Sequence, residues 1–124
     1  MSRLTVGGVK WDSRISEAEA IDLLTHALER GVTSFDTAHA YSGGESERRL
    51  GLALQGRFSD VFVSTKITDR TRQGAKDQLR ISLERLGADH VDLVYVHSLE
   101  DDGDFDRVTG EDGPLRALRE CREE

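Results

Sequence analysis

Cysteine occurs once, at Cys121, and proline once, at Pro114. A single thiol excludes a disulfide framework or a CxxC metal knuckle within one chain. Lysine is nearly as scarce: only Lys10, Lys66 and Lys76 are present, and arginine supplies most of the positive charge. In so lysine-poor a sequence, a lysine at a special place stands out. Positive charge is short altogether. The formal charge of -7 at pH 7 is the opposite of the basic face that a nucleic-acid-binding surface needs. Long apolar runs are missing too. The longest apolar stretch, VDLVYV at Val91 to Val96, is far too short to span a bilayer, and no apolar run of signal-peptide type opens the chain. Neither a nucleic acid nor a membrane is an expected partner, and a cytoplasmic location is expected. Low-complexity segments are also absent.

What is there is an ordinary globular composition, 36% hydrophobic and 33% charged over 124 residues, enough for one domain with one modest core. Helix and strand alternate along it. Ser16 to Arg30 reads as a helix, with Ser16 and Glu19 as an S-x-x-E capping box, Gly31 as the stop, and Ala20, Ile21, Leu24, Ala27 and Leu28 on one face. Val32 to Asp36 suits a strand. Glu45 to Gln55 reads as a second helix, with acids in its first turn and Leu50, Ala53 and Leu54 inward. VFVST, Val61 to Thr65, leans apolar on both faces, as in a parallel strand covered on both sides. A long helix is expected from about Thr71 to Leu86, striped by Ala75, Leu79, Leu83 and Leu86 and stopped by Gly87. A strand follows at Val91 to Val96, then an acidic loop, then a helix from about Pro114. This alternation predicts βαβ units and a parallel sheet. LTVGGVKWD, Leu4 to Asp12, reads only weakly as a further strand, from which Trp11 could reach a pocket.

In parallel α/β proteins, functional groups gather beyond the carboxyl ends of the strands. Three successive strands each hand an ionisable residue to that rim. The first ends in Asp36 and delivers Tyr41 from its loop, the second ends in Lys66, and the third ends in His97. A phenol, with a pKa near ~10, is a poor proton donor or acceptor near neutrality. A neighbouring ammonium stabilises the phenolate and moves the tyrosine toward a useful range. The aspartate can pair with that lysine and hold it charged. A histidine at the rim can hydrogen-bond a substrate carbonyl oxygen. Together the four could protonate a carbonyl while a hydride arrives from elsewhere.

The segments GVTSFDTAHAYSGGESERRLG, VFVSTK and DHVDLVYVHS resemble the marker segments of the aldo-keto reductase family. The resemblance runs from the helix at Ser16 to the final helix. It implies a TIM-type (β/α)8 barrel that reduces aldehydes or ketones with NADPH, and a tetrad at Asp36, Tyr41, Lys66 and His97. In that scheme Tyr41 and His97 meet the substrate and Asp36 also borders the cofactor. A barrel of this type takes eight strands and about 250 residues, whereas four βα units are legible here. Residues 1–124 are therefore expected to be a truncated form, the N-terminal half of a reductase barrel domain, with most of the cofactor pocket in the other half. No G-x-G-x-x-G phosphate loop appears. The open sheet edges of such a half invite self-association, and the competing expectation is a non-catalytic binding or assembly module with an inherited, idle site.

Other constellations read as structural. Asp102, Asp104 and Asp106 alternate as in an EF-hand, but the sixth position from Asp102 is Arg107 instead of glycine and the twelfth is Gly113 instead of glutamate. A solvated loop over the rim is the expectation there. His39 is expected to pack or hydrogen-bond within its loop, His26 to lie at a helix edge and His90 to serve a turn. No histidine pair has metal-ligand spacing on one helix face. Gly43 and Gly44 are expected to free the backbone ahead of the second helix, where Glu45 and Glu47 would repel a phosphate.

Overall fold

The structure, a computed structural model, describes residues 2–9 and 14–123. Trp11 therefore lies outside the described residues. Among the described residues the elements run β1 (Val6–Gly7), α1 (Glu17–Glu29), β2 (Ser34–Asp36), α2 (Glu45–Ala53), β3 (Phe62–Ile67), α3 (Arg72–Leu86), β4 (Leu93–Val96), α4 (Asp102–Thr109) and α5 (Pro114–Glu123), with tight 3-10 turns at Tyr41–Gly44 and Phe58–Asp60. The four strands form one parallel sheet in the order β1-β2-β3-β4. The weak segment at Leu4 to Asp12 yields only the two-residue β1.

The helix signals hold where they are local. Ser16 accepts from the Glu19 amide and Glu19 accepts from the Ser16 amide at 2.7 Å, a complete capping box. Thr71 caps α3 through the Gly74 amide, and Gly87 ends it at φ 63°. The acidic loop is a correction: Asp102–Thr109 is helix α4, capped by Asp101, whose carboxylate accepts from the Asp104 amide at 2.7 Å. One of its inward positions, Asp104, is an acid buried against Arg70, with Val108 buried one turn on. An acid on the inward stripe is what hides this helix from hydrophobic periodicity.

Strand periodicity divides the sheet into two unlike faces. Phe35, Val63, Thr65, Ile67, Val94 and Val96 face the helices. There Leu24, Leu28, Leu50, Leu54 and Leu86 close on Phe35 and Val63, while Ala75 and Ala117 close on Ile67. The other face carries Ser34 and Asp36, then Phe62, Ser64 and Lys66, then Leu93 and Tyr95, as the pairings Asp36 to Ser64 and Lys66 to Tyr95 require. β3 is thus apolar on one face and largely polar on the other, not apolar on both as its sequence suggests. Leu93 and Tyr95 remain exposed. Among the described residues no helix is long and apolar enough to cross a membrane.

Candidate active site

Register brings the first two groups together. Asp36 lies opposite Ser64, two residues before Lys66 on the same face of β3. The Ser64 hydroxyl donates to Asp36 Oδ1 at 2.7 Å, and the Lys66 ammonium donates to Asp36 Oδ2 at 2.5 Å and to the Thr37 carbonyl at 2.7 Å. Both carboxylate oxygens are therefore engaged. The pair is mostly shielded from water, where a charge-assisted hydrogen bond outweighs its surface counterpart.

Tyr41 reaches the same place because the chain keeps pairing with β3 after β2 has ended. The Thr37 amide donates to the Ser64 carbonyl and the His39 amide to the Lys66 carbonyl, both at 2.9 Å. The 3-10 turn then reverses direction, with Ser42, Gly43 and Gly44 all at positive φ (53°, 65° and 100°). Ser42 is the costly member, since only glycine adopts that region freely. The Tyr41 ring comes to rest 4.9 Å from Lys66 Nζ and edge-on to the His97 ring, with centroids 5.7 Å apart at 76°.

His97 stands just past β4, its amide donating to the Ile67 carbonyl at 2.8 Å. Arg70, on the loop after β3, holds it there. One guanidinium nitrogen donates to the His97 and Ser98 carbonyls at 2.8 Å each, and the fork also engages Asp104 of α4 at 2.7 and 2.9 Å. That hydrogen-bonded ion pair holds the Asp104 carboxyl below, and the Arg70 guanidinium above, their usual ranges.

All four residues expected at the rim thus meet in one cluster. Beside them opens a cleft of about 320 Å³ lined by Asp36, Lys66, Tyr95, Val96, His97 and Ser98. Tyr41 is not a wall of this cleft; it abuts two residues that are. Sequence reasoning overlooked Ser64, Tyr95 and Arg70, and it read Glu47 as a first-turn acid facing any phosphate, whereas Glu47 is buried and held by Thr65 and Arg85. Two of these were within reach, because a period of two from Lys66 and His97 selects Ser64 and Tyr95 as residues on the same face. Arg70 and Glu47 sit on a loop and a helix, where no local pattern marks them.

Other expectations meet mixed outcomes. His39 does hydrogen-bond, through Nδ1 at 3.2 Å from Ser82 Oγ, but the partner belongs to α3 and not to its own loop. His26 and His90 are exposed. Among the described residues no cluster of side chains could hold a metal ion.

The cleft offers the donors Lys66 and His97 and the acceptor Asp36, a set suited to a polar ring bearing a carbonyl or amide. It does not continue into a phosphate cradle. At the start of α2 the space beside Gly44 is filled by the Arg85 guanidinium, Glu45 is paired with Arg48, and Glu47 is buried. The described residues fit the reacting end of a dinucleotide and not its pyrophosphate.

Known proteins similar to this chain include aldo-keto reductases and a dehydrogenase. An aldo-keto reductase of Mycolicibacterium vanbaalenii is 43% identical over 86 residues, covering 67% of this chain and 30% of that protein. L-galactose dehydrogenase of Arabidopsis thaliana is 33% identical over 119 residues, covering 89% and 36%. Among solved structures, the aldo-keto reductase AKR11C1 of Bacillus halodurans in its holo form superposes with a TM-score of 0.80 at 26% identity, over 97% of this chain and 42% of that one. A Pseudomonas aeruginosa protein assigned to the same group gives 0.84 at 31% identity, over 98% and 51%. The chain therefore spans about a third of the length of the curated relatives and about half of the solved chains. The model of the aldo/keto reductase family matches residues 3–123. With four parallel βα units of the TIM-barrel type and that match over nearly every residue, this chain belongs to the aldo-keto reductase family.

Proposed function

We propose that residues 1–124 form the N-terminal half of a reductase barrel domain and carry the proton-transfer site of an NADPH-dependent carbonyl reductase. The observation that supports this reading most directly is that the Tyr41 ring contacts both the Lys66 ammonium and the His97 imidazole, with Lys66 anchored on Asp36. The substrate class is an aldehyde or ketone, and the setting is the cytoplasm. When bound, the cofactor supplies the hydride that the carbonyl carbon receives.

Everything else falls to side chains of this chain. The Tyr41 hydroxyl gives its proton to the carbonyl oxygen, so the substrate leaves as an alcohol. The phenolate so formed lies beside the Lys66 ammonium, which stabilises it. Asp36 keeps Lys66 charged and pointed inward, and its carboxylate borders the cofactor's reacting end. His97 orients the substrate oxygen, and Arg70 fixes His97 through its backbone. The same open-edged sheet is proposed to associate with a second copy.

The test compares wild-type protein with Tyr41→Phe by following NADPH oxidation over a panel of aldehydes and ketones. Loss of the general acid should lower turnover by about 10²-fold or more, while far-UV circular dichroism and NADPH binding by fluorescence stay unchanged. Equal turnover in the variant would refute Tyr41 as donor. Absence of saturable NADPH binding in the wild type would favour the idle-site reading.

A further inference from the structure

Glu47 is fully buried, yet it is a carboxylate in the first turn of α2 and touches none of the rim groups. An isolated charge in such a place costs several kcal/mol unless it is paired and hydrogen-bonded. Both of its oxygens are engaged. Thr65, on the helix-facing side of β3, donates to Oε1 at 2.7 Å, and Arg85 of α3 donates to Oε2 at 3.2 Å. The neighbouring positions Phe35, Val63 and Leu50 are apolar, and apolar packing in place of a buried ion pair is often neutral or stabilising. Stability alone therefore does not account for a carboxylate at this position.

What the pair does touch is the turn that carries Tyr41. The Arg85 nitrogen that meets Glu47 also donates to the His39 carbonyl at 3.0 Å and lies 3.4 Å from His39 Nδ1. Its guanidinium packs so closely on Gly44 that an added Cβ would stand 2.3 Å from Arg85 Cζ. His39 is held in addition by Ser82 Oγ on α3 and, through its amide, by the Lys66 carbonyl on β3. The turn is thus gripped at both shoulders, at His39 before Tyr41 and at Gly44 after it.

We propose that Glu47 and Arg85 are positioning residues for Tyr41, a clamp with a fully buried acid that joins α2, β3 and α3 and sets where the phenol stands relative to Lys66 and His97. The catalytic consequence rests on the reading of Tyr41 as proton donor; the positional claim does not. A general acid held loosely by about 1 Å can lose about 10²-fold in rate, and Ser42 at positive φ shows that the turn does not hold its shape unaided.

The experiment uses Glu47→Gln, which keeps the shape and removes the charge, and the double variant Glu47→Leu with Arg85→Met, which replaces the ion pair by apolar side chains. Amide hydrogen exchange is followed at Tyr41 and Gly43, whose N–H groups donate within the turn to the carbonyls of Ala38 and Ala40, and at Val63 in the sheet. Exchange at Tyr41 and Gly43 should accelerate at least tenfold in both variants while Val63 keeps its protection. Where the wild type turns over substrate, kcat should fall at least tenfold with KM nearly unchanged, and Arg85→Lys should recover part of it. Unchanged exchange at Tyr41 and Gly43 would overturn the proposal. So would a uniform rise that includes Val63, which marks a pair serving global stability alone. A wild type without turnover would count against the reductase reading only, since the exchange pattern still decides the clamp.

Discussion

His39 shows how much one side chain depends on its neighbours. Its Nδ1 lies beside the Arg85 guanidinium, which can only donate, and within hydrogen-bond reach of Ser82 Oγ, so the neutral ring is the form that fits. Burial first, and the Arg85 charge second, lower its pKa below the usual histidine value, with Glu47 opposing. The folded state therefore binds this proton less readily than the unfolded chain. Stability is full above the unfolded pKa of about 6.5 and falls as pH drops through the window down to the lowered folded value. In urea titrations between pH 7.5 and 5, His39→Asn should flatten that acid-side slope relative to the wild type, because its amide oxygen can accept without titrating. An identical slope in both proteins would rule out His39 as its source. At this scale the sequence was informative where residue type and strand end coincide: Asp36, Lys66 and His97 are each the last polar group of an apolar run. Glu47 and Arg85 look like ordinary exposed charges on helices, and only the burial of Glu47 beside Thr65 and the packing of Arg85 on Gly44 show otherwise.

Among the elements, α2 and α3 pack backbone to backbone. Gly51, in the last turn of α2, has the backbone of Leu86 so near that an added Cβ would lie 2.5 Å from the Leu86 carbonyl oxygen. Alanine is the better helix former by about 1 kcal/mol, but backbone cannot swing aside as a flexible side chain can. Gly51→Ala should therefore destabilise the fold by about 1–3 kcal/mol, read as a lower urea midpoint at unchanged slope, and a raised midpoint would contradict the contact. The capped helices α1 and α3 were legible from Ser16, Glu19, Thr71 and Gly87, because a cap is a local hydrogen bond that sequence spacing specifies. Helix α4 was not. Its inward face is half acid, and the partner that makes this tolerable, Arg70, lies outside the segment on the loop after β3. α5 is joined to α3 in the same way: Glu120 accepts from Arg72 at 2.6 Å and meets Lys76 at 3.0 Å, which together pull its carboxyl down to about 2.

For the molecule as a whole, the sheet has four strands where the family's barrel closes with eight. Among the described residues β1 and β4 have no strand on their outer sides. Leu93 and Tyr95 of β4 lie exposed, and a groove of about 1100 Å³ lined in part by Leu79, Leu83, Val91, Leu115 and Leu118 runs along the same edge. An exposed apolar edge of this kind pairs readily. The 124-residue chain on its own should show, by light scattering, a mass that rises with concentration from 13.8 kDa toward twice that value. Leu93→Lys, a charge placed on the edge strand, should hold it at the lower mass. A wild type that stays at the lower mass throughout would dismiss the pairing.

The sequence by itself determined the alternation of helix and strand, the parallel sheet and the four groups at its carboxyl rim, because periodicity, caps and strand ends are written in residues a few positions apart. The tertiary structure alone decided that the Asp36 carboxylate is shared by Ser64 and Lys66, that Arg70 secures His97 through backbone carbonyls, and that Arg85, which meets the Tyr41 turn at His39 and Gly44, is paired with a buried acid on α2. Those contacts join residues about thirty or more apart, and no local pattern encodes which distant partner relieves a buried charge.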